Sequence, residues 1–456
     1  METRTPSVLQ NPHQVQERRV PSSTPTKLQV QEPRVLPVEP TAGWRFFRWL
    51  CSLVFYIHLC LVGVLVIFLV VQGLRSASKT HHFHPEKWYP PLLTATGSSG
   101  IIAFSWQGFT GCCPSKAFKM AFWFSPVVSL AAGIFFVIVG SAGGLAAGAI
   151  LIVSSLFLSV YVCWVYRRFN YAIRLLSVST EYPPTKTPIF VLGSILVGIL
   201  YASVLVTGIG GAVALRSSWK AAFIAAILLS LTWTLQVIKN IVQVTISRIK
   251  YLNLARGHEK DTRAAFHDTM KHLIGTISIG SVIAPLVSFI QGSARAMRLM
   301  AGESDEFLFS CAHCCSGIAS TLRNHGNRWG FVHVGVYNKG MVQASVDTWE
   351  AFKKVELEAV IDYDLTVSFC FLCGVSGGAI CSIISGIWAL VIHKSYATEL
   401  AIYAFLIGYF LCRIGMAWPQ ACVSAYYVAY ADNPQHPRFD SMVPQRIREL
   451  QRRLQA

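Results

Sequence analysis

The sequence predicts an all-α fold: a polytopic membrane helical bundle of about ten transmembrane helices. Hydrophobic residues make up 53% of the 456 residues. Charged residues make up only 13%, against roughly 25% in soluble domains. The chain also holds repeated charge-free runs of the ~20 residues that a span needs. A soluble surface of this size cannot be built from so few charges. An ordinary cytosolic enzyme, a coiled coil and a disordered chain are therefore excluded.

Residues 1–43 contain seven of the 20 prolines and no helical periodicity, and read as a disordered tail. Trp49–Leu74 is the first span. Trp88–Ser115 is the second, with a Pro- and Gly-rich start. Met120–Tyr166 runs 47 residues without a charge, too long for one span, and Gly140–Gly144 divides it into a hairpin. Thr187–Leu215 is the fifth span, with Pro188 near its start, where proline is tolerated. Ala221–Ile238 is the sixth and extends towards Arg248. Leu273–Ala294, Leu365–His393 and Leu400–Ala431 follow. Asn327–Val346 completes the set as a spanning or interfacial segment, carrying Arg328 and Lys339. Residues 432–456 form a basic C-terminal tail.

Net charge is +17. The basic residues lie in short stretches between apolar runs, the pattern of cytoplasmic loops rather than of a nucleic-acid surface. With the N-terminus inside, 21 Lys and Arg flank the inner face and nine the outer face. Both termini are then cytoplasmic. The segment 292–326 fits this count least well and can be interfacial.

No His-Glu-x-x-His, Gly-x-Ser-x-Gly, P-loop or Rossmann fingerprint is present, so neither an enzyme nor a cofactor is implied. His81-His-Phe-His84 lacks a partner at metal-ligand spacing and reads as a solvated loop. Cys311-x-x-Cys314-Cys315 is half a zinc pattern without its second half. Acylation at Cys112, Cys113, Cys314 or Cys315 is open.

Trp106, Tyr201, Trp233, Tyr426 and Tyr427 lie within spans rather than at their ends. Aromatic faces bind quaternary ammonium groups, each contributing about 0.5–2 kcal/mol; packing is the blander role for each ring. Gln236, Asn240 and Gln243 are spaced by four and three, so they share one helical face. Lipid cannot satisfy that face, so it looks into the bundle or a cavity. Arg413 sits mid-run in the last span, where a charge is functional or paired within the bundle. Pro419 provides for a broken helix nearby.

Several stretches resemble the choline transporter-like family, which also occurs in fungi and plants. They are Trp233 with Gln243; Asn327-Arg328 followed by Tyr337-Asn338-Lys339-Gly340; Ser345; and Cys422-Val423 to Tyr430-Ala431-Asp432. Cys311–Cys315 is similar too, and the loop from His84 to Leu92 resembles that of plant members. Ser424 departs from the pattern, standing where the family often carries an acid. The first external loop, Arg75–Pro91, is short and has no glycosylation sequon, unlike that of animal members.

The resemblance implies a transporter domain over 44–431, in the plasma membrane or an endomembrane. It would move choline or a related amine by facilitated transport or exchange. Its partners would be that small organic cation and membrane lipids, with no nucleic acid. The expected substrate residues are Trp233, Gln236, Asn240, Gln243, Trp106, Tyr201, Tyr426 and Tyr427, with Arg413 as a gate. Ser424 speaks for an alternative, a non-transporting membrane organiser in trafficking or lipid homeostasis.

Overall fold

The structure, a computed structural model, describes residues 42–80, 84–215, 218–257, 260–301, 324–361 and 363–455. The expectations for His81–Phe83, for Cys311–Cys315 and for almost all of the 1–43 tail lie outside these residues. The described elements, in order, are α1 Ala42–Thr80, α2 Pro85–Cys112, α3 Pro114–Val139, α4 Ala142–Val165, α5 Phe169–Thr180, α6 Thr187–Ala214, α7 Lys220–Arg256 and α8 Thr262–Ala301. They continue with α9 Gly330–Tyr337, α10 Met341–Lys354, α11 Glu358–Ile361, α12 Thr366–Ile392, α13 Lys394–Gly415, α14 Ala417–Asp432 and α15 Met442–Gln455. Among the described residues there is no strand, and eight helical stretches are long and apolar enough to cross a membrane. The chain is an all-α polytopic bundle. The 28-residue α2 is not among those eight, because Thr, Ser, Gly and Gln interrupt its apolar run.

The expected hairpin at Gly140 is present. Gly140 ends α3 at φ 74°, a conformation that glycine adopts without a Cβ penalty. Ser141 then caps α4 by accepting the Gly144 N–H at 2.9 Å. Its hydroxyl also meets Thr398 Oγ1 at 2.7 Å, which ties the turn to α13.

α7 and α8 run well past their charge-free cores, to 37 and 40 residues. Their polar ends meet: Asp268 lies 3.5 Å from Arg248 and 2.7 Å from Lys260.

Two expected spans are interrupted. Leu400–Ala431 breaks at Met416 into α13 and α14. Pro419 lies in the first turn of α14; in a continuous helix its ring would collide with the Gly415 carbonyl, and it has no N–H to donate. In a first turn that N–H has no intrahelical acceptor anyway. Asn327–Val346 divides into α9, of eight residues, and α10, of fourteen. Each is short of the ~20 residues of a span. Between them Asn338 turns the chain at φ 55°, and Arg48 Nη1 on α1 donates to its Oδ1 at 2.6 Å.

α14 lies in the interior, with every residue from Ala417 to Ala431 buried. It packs on α7, α5 and α10. α7 is likewise buried without interruption from Lys239 to Ser247. By contrast α1 exposes Phe46, Leu61 and Ile67, and α4 exposes Ile150, Phe157 and Val160. Those apolar surfaces suit contact with lipid.

Candidate functional site

Helical periodicity places Lys239 and Gln243 one turn apart on α7, with Asn240 beside them. Lys239 is 5% exposed. Its ammonium donates to Asn240 Oδ1 at 3.2 Å and to Gln243 Oε1 at 3.0 Å. Asn240 Nδ2 continues the chain to Ser281 Oγ on α8 at 2.8 Å. Gln243 Nε2 is buried and has no hydrogen-bond partner. The polar face expected from Asn240 and Gln243 thus looks into the bundle, while Gln236 is half-buried.

Trp233, two turns earlier, is half-buried. Its Nε1 donates to the Ser278 carbonyl at 3.2 Å. Its ring packs 5.6 Å from Phe55 and 4.6 Å from His58, both on α1. Tyr201 of α6 reaches α7 from another side: its hydroxyl meets Ser230 Oγ at 2.6 Å and accepts from Thr234 Oγ1 at 3.1 Å.

The remaining expected aromatics have other neighbours. Trp106 is buried in α2. Tyr426 donates to Asp440 Oδ1 at 3.1 Å. Tyr427 meets the Tyr171 hydroxyl at 3.1 Å. Trp233, Asn240, Gln243 and Tyr201 therefore gather on or against α7, whereas Trp106, Tyr426 and Tyr427 sit in separate surroundings.

Arg413 lies in the last turn of α13, where a cation complements the helix dipole. It points inward over α12, and Gly374 makes room: a Cβ there would lie 3.0 Å from Arg413 Cγ and Cδ. Its Nη1 is buried without a partner. Cys370 of α12 marks the meeting point. Its Sγ donates to the Met416 carbonyl at 3.4 Å, at the break between α13 and α14. It also lies within electrostatic reach of Arg413, Lys239, Asp364 and Arg328.

Three parts of this site escape the reading by runs and motifs. Lys239 ends the charge-free run of the sixth span and so looks like a boundary. Asp364 is an acid outside every apolar run, yet only 2% of its side chain is exposed, and it binds Arg328 at 3.0 Å. Arg328 in turn stacks over Trp329 at 4.3 Å. Tyr251 donates to Asp432 Oδ2 at 2.5 Å and meets the Tyr337 hydroxyl at 2.7 Å. That triangle joins the ends of α7, α9 and α14.

The residues of the resemblance build these junctions. Asn327 bridges α9 and α10: its Nδ2 donates to the Ser345 carbonyl at 2.7 Å and its Oδ1 accepts the Gly330 N–H at 2.9 Å. Asn338 and Gly340 make the turn between those helices, and Gly340 lies against the Trp44 ring.

The profile of the plasma-membrane choline transporter family matches residues 149–435, more than half of the chain. Protein PNS1 of Mycosarcoma maydis is 24% identical over 220 residues, 44% of this chain and 41% of that protein. Protein PNS1 of Gibberella zeae is 22% identical over 225 residues, 46% and 42% of the two chains. Protein PNS1 of Yarrowia lipolytica is 25% identical over 140 residues, 28% and 24%. The first two matches thus span about two-fifths of each relative's length. The matched segment contains α7, both interrupted helices and the Arg328–Asp364 pair, and the chain belongs to the plasma-membrane choline transporter family.

Proposed function

We propose that the protein carries choline or a related small organic cation across its membrane, by facilitated movement or exchange. Family membership supports the class. The observation that carries the reading is the pair of interrupted helices: α9, α13 and α14 all pack on α7. Irregular backbone at membrane depth is tolerated only inside protein or along a cavity. Transporters place their substrate sites at such interruptions, because freed backbone groups and helix ends are available there.

In this reading Trp233, Gln236, Asn240 and Gln243 contact the cation, with Tyr201 beside them. Trp106, Tyr426 and Tyr427 belong to the same assignment at other points of the route. Arg413 stands beside the path as a gate, since its charge repels a cationic cargo. The same proposal places the chain in the plasma membrane with both termini cytoplasmic.

The test is uptake of labelled choline into proteoliposomes holding only this protein. Saturable uptake that unlabelled choline competes away supports the carrier. Background uptake by correctly folded protein overturns it. That outcome would favour the second reading, a membrane organiser. Its supporting observation is that Ser424, where relatives often carry an acid, is buried in α14, so that this interior position holds no charge.

A further inference from the structure

Lys239 and Arg413 are basic side chains in the interior that no carboxylate among the described residues answers. Three other basic residues have acids: Arg328 binds Asp364 at 3.0 Å, Arg248 lies 3.5 Å from Asp268 and Lys339 lies 2.6 Å from Asp347. Among the described residues, no acidic side chain is in ion-pair contact with Lys239 or Arg413. Among the described residues, Lys239 has only two neutral amide oxygens as acceptors. Arg413 and Arg328 both lie within its electrostatic reach and add repulsion.

Donors on the helices that carry or adjoin these two residues lack partners. Arg413 Nη1, Gln243 Nε2 and Trp418 Nε1 are buried without partners. Gln243 and Trp418 are 1% and 4% exposed, so water outside the bundle does not serve them. Trp418 belongs to the first turn of α14, whose start no side chain caps. The first-turn N–H groups of a 16-residue helix carry partial positive charge. Gln420, in the same turn, leaves its amide oxygen unpartnered; a flip of that amide presents another N–H instead. Desolvated basic groups with spare donors and no ion-paired acid are the chemistry of an anion site.

We propose that a small free anion, chloride or a carboxylate of similar size, binds between Lys239 and Arg413 at the break between α13 and α14. Asp364 is taken by Arg328, so the anion supplies the negative partner that Lys239 and Arg413 lack among the described residues. It also lowers the local repulsion that a cationic cargo would meet. The site stands on its own geometry and does not require the cargo to be choline.

The experiment uses the full chain in detergent micelles, with unfolding followed by intrinsic tryptophan fluorescence. Sodium chloride replaces sodium gluconate at constant ionic strength, and a parallel series uses sodium acetate. A saturable rise in Tm of about 2–4 °C is expected in chloride or acetate. Lys239→Gln and Arg413→Gln should each abolish the saturable part, while the exposed Arg448→Gln keeps it. A flat titration, or an unchanged response in both interior variants, overturns the site. If the interior variants do not fold, radiolabelled chloride binding to the wild-type chain decides. Saturable binding of about one chloride per chain that acetate displaces supports the proposal; non-saturating binding overturns it. Choline binding is measured in parallel on the same preparation. Loss of the choline reading with the chloride response intact leaves the anion site standing.

Discussion

At the scale of single residues, Asn327 shows what one side chain can fasten. Its amide answers the Ser345 carbonyl and the Gly330 N–H together. Asn327→Ala removes both side-chain bonds and leaves the Gly330 N–H only its 3.3 Å bond to the residue-327 carbonyl, which should cost about 1–3 kcal/mol. A lowered Tm in micelles is the readout, and an unchanged Tm would show that other groups hold α9 to α10. Trp233 belongs to the substrate proposal. If choline binds against its face, Trp233→Ala should weaken binding by roughly 1–2 kcal/mol, about 5- to 30-fold. Unchanged affinity in folded protein removes Trp233 from the site. Under the gate assignment, Arg413→Gln alters choline flux without unfolding the bundle, and wild-type flux would end that role. Arg413 was recognisable in the sequence because a charge in the middle of an apolar run is conspicuous. Lys239 was not, because it stands at the end of such a run. Only the packing around α7, which buries every residue from Lys239 to Ser247, reveals it as an interior residue.

At the scale of elements, close helix contact rests on missing side chains. A Cβ on Gly378 of α12 would lie 2.7 Å from the Phe405 carbonyl of α13. Backbone cannot swing aside as a side chain can, so the helices would have to part. Gly378→Ala should therefore destabilise by about 1–3 kcal/mol. Gly193 of α6 has nothing within 4 Å of its own Cβ position, so Gly193→Ala should be neutral or stabilising by up to ~1 kcal/mol. Comparing the two Tm values in one detergent checks the argument; equal shifts would refute it. The turn at Gly140 was readable because glycine and serine supply its local chemistry. The break near Pro419 was readable as a possibility, but its place at Met416 depends on partners. Cys370 takes the Met416 carbonyl, and the α2 backbone approaches Gly415 so closely that a Cβ there would lie 2.9 Å from the Ala103 carbonyl.

At the scale of the molecule, the proposed orientation puts both tails in the cytoplasm, on the ground of the Lys and Arg count. Gln10→Cys and Arg452→Cys should react with a membrane-impermeant thiol reagent only after cells are permeabilised, and labelling of either in intact cells would reverse the orientation. By itself the sequence determined the class, most span positions, the hairpin at Gly140 and the likeness to one family. These rest on local properties: the length of an apolar run, the absence of charge, the conformational freedom of glycine and the spacing of motifs. Tertiary structure alone decided that α14 is buried on all sides, that Asn327–Val346 is two short helices and that Asp364 answers Arg328. It also decided that Lys239 and Arg413 lie within electrostatic reach of one another, with neither in ion-pair contact with an acid among the described residues. Those features depend on which helices meet, and so on contacts between residues separated by about 40 to 170 positions. No window along the chain contains both members of such a pair.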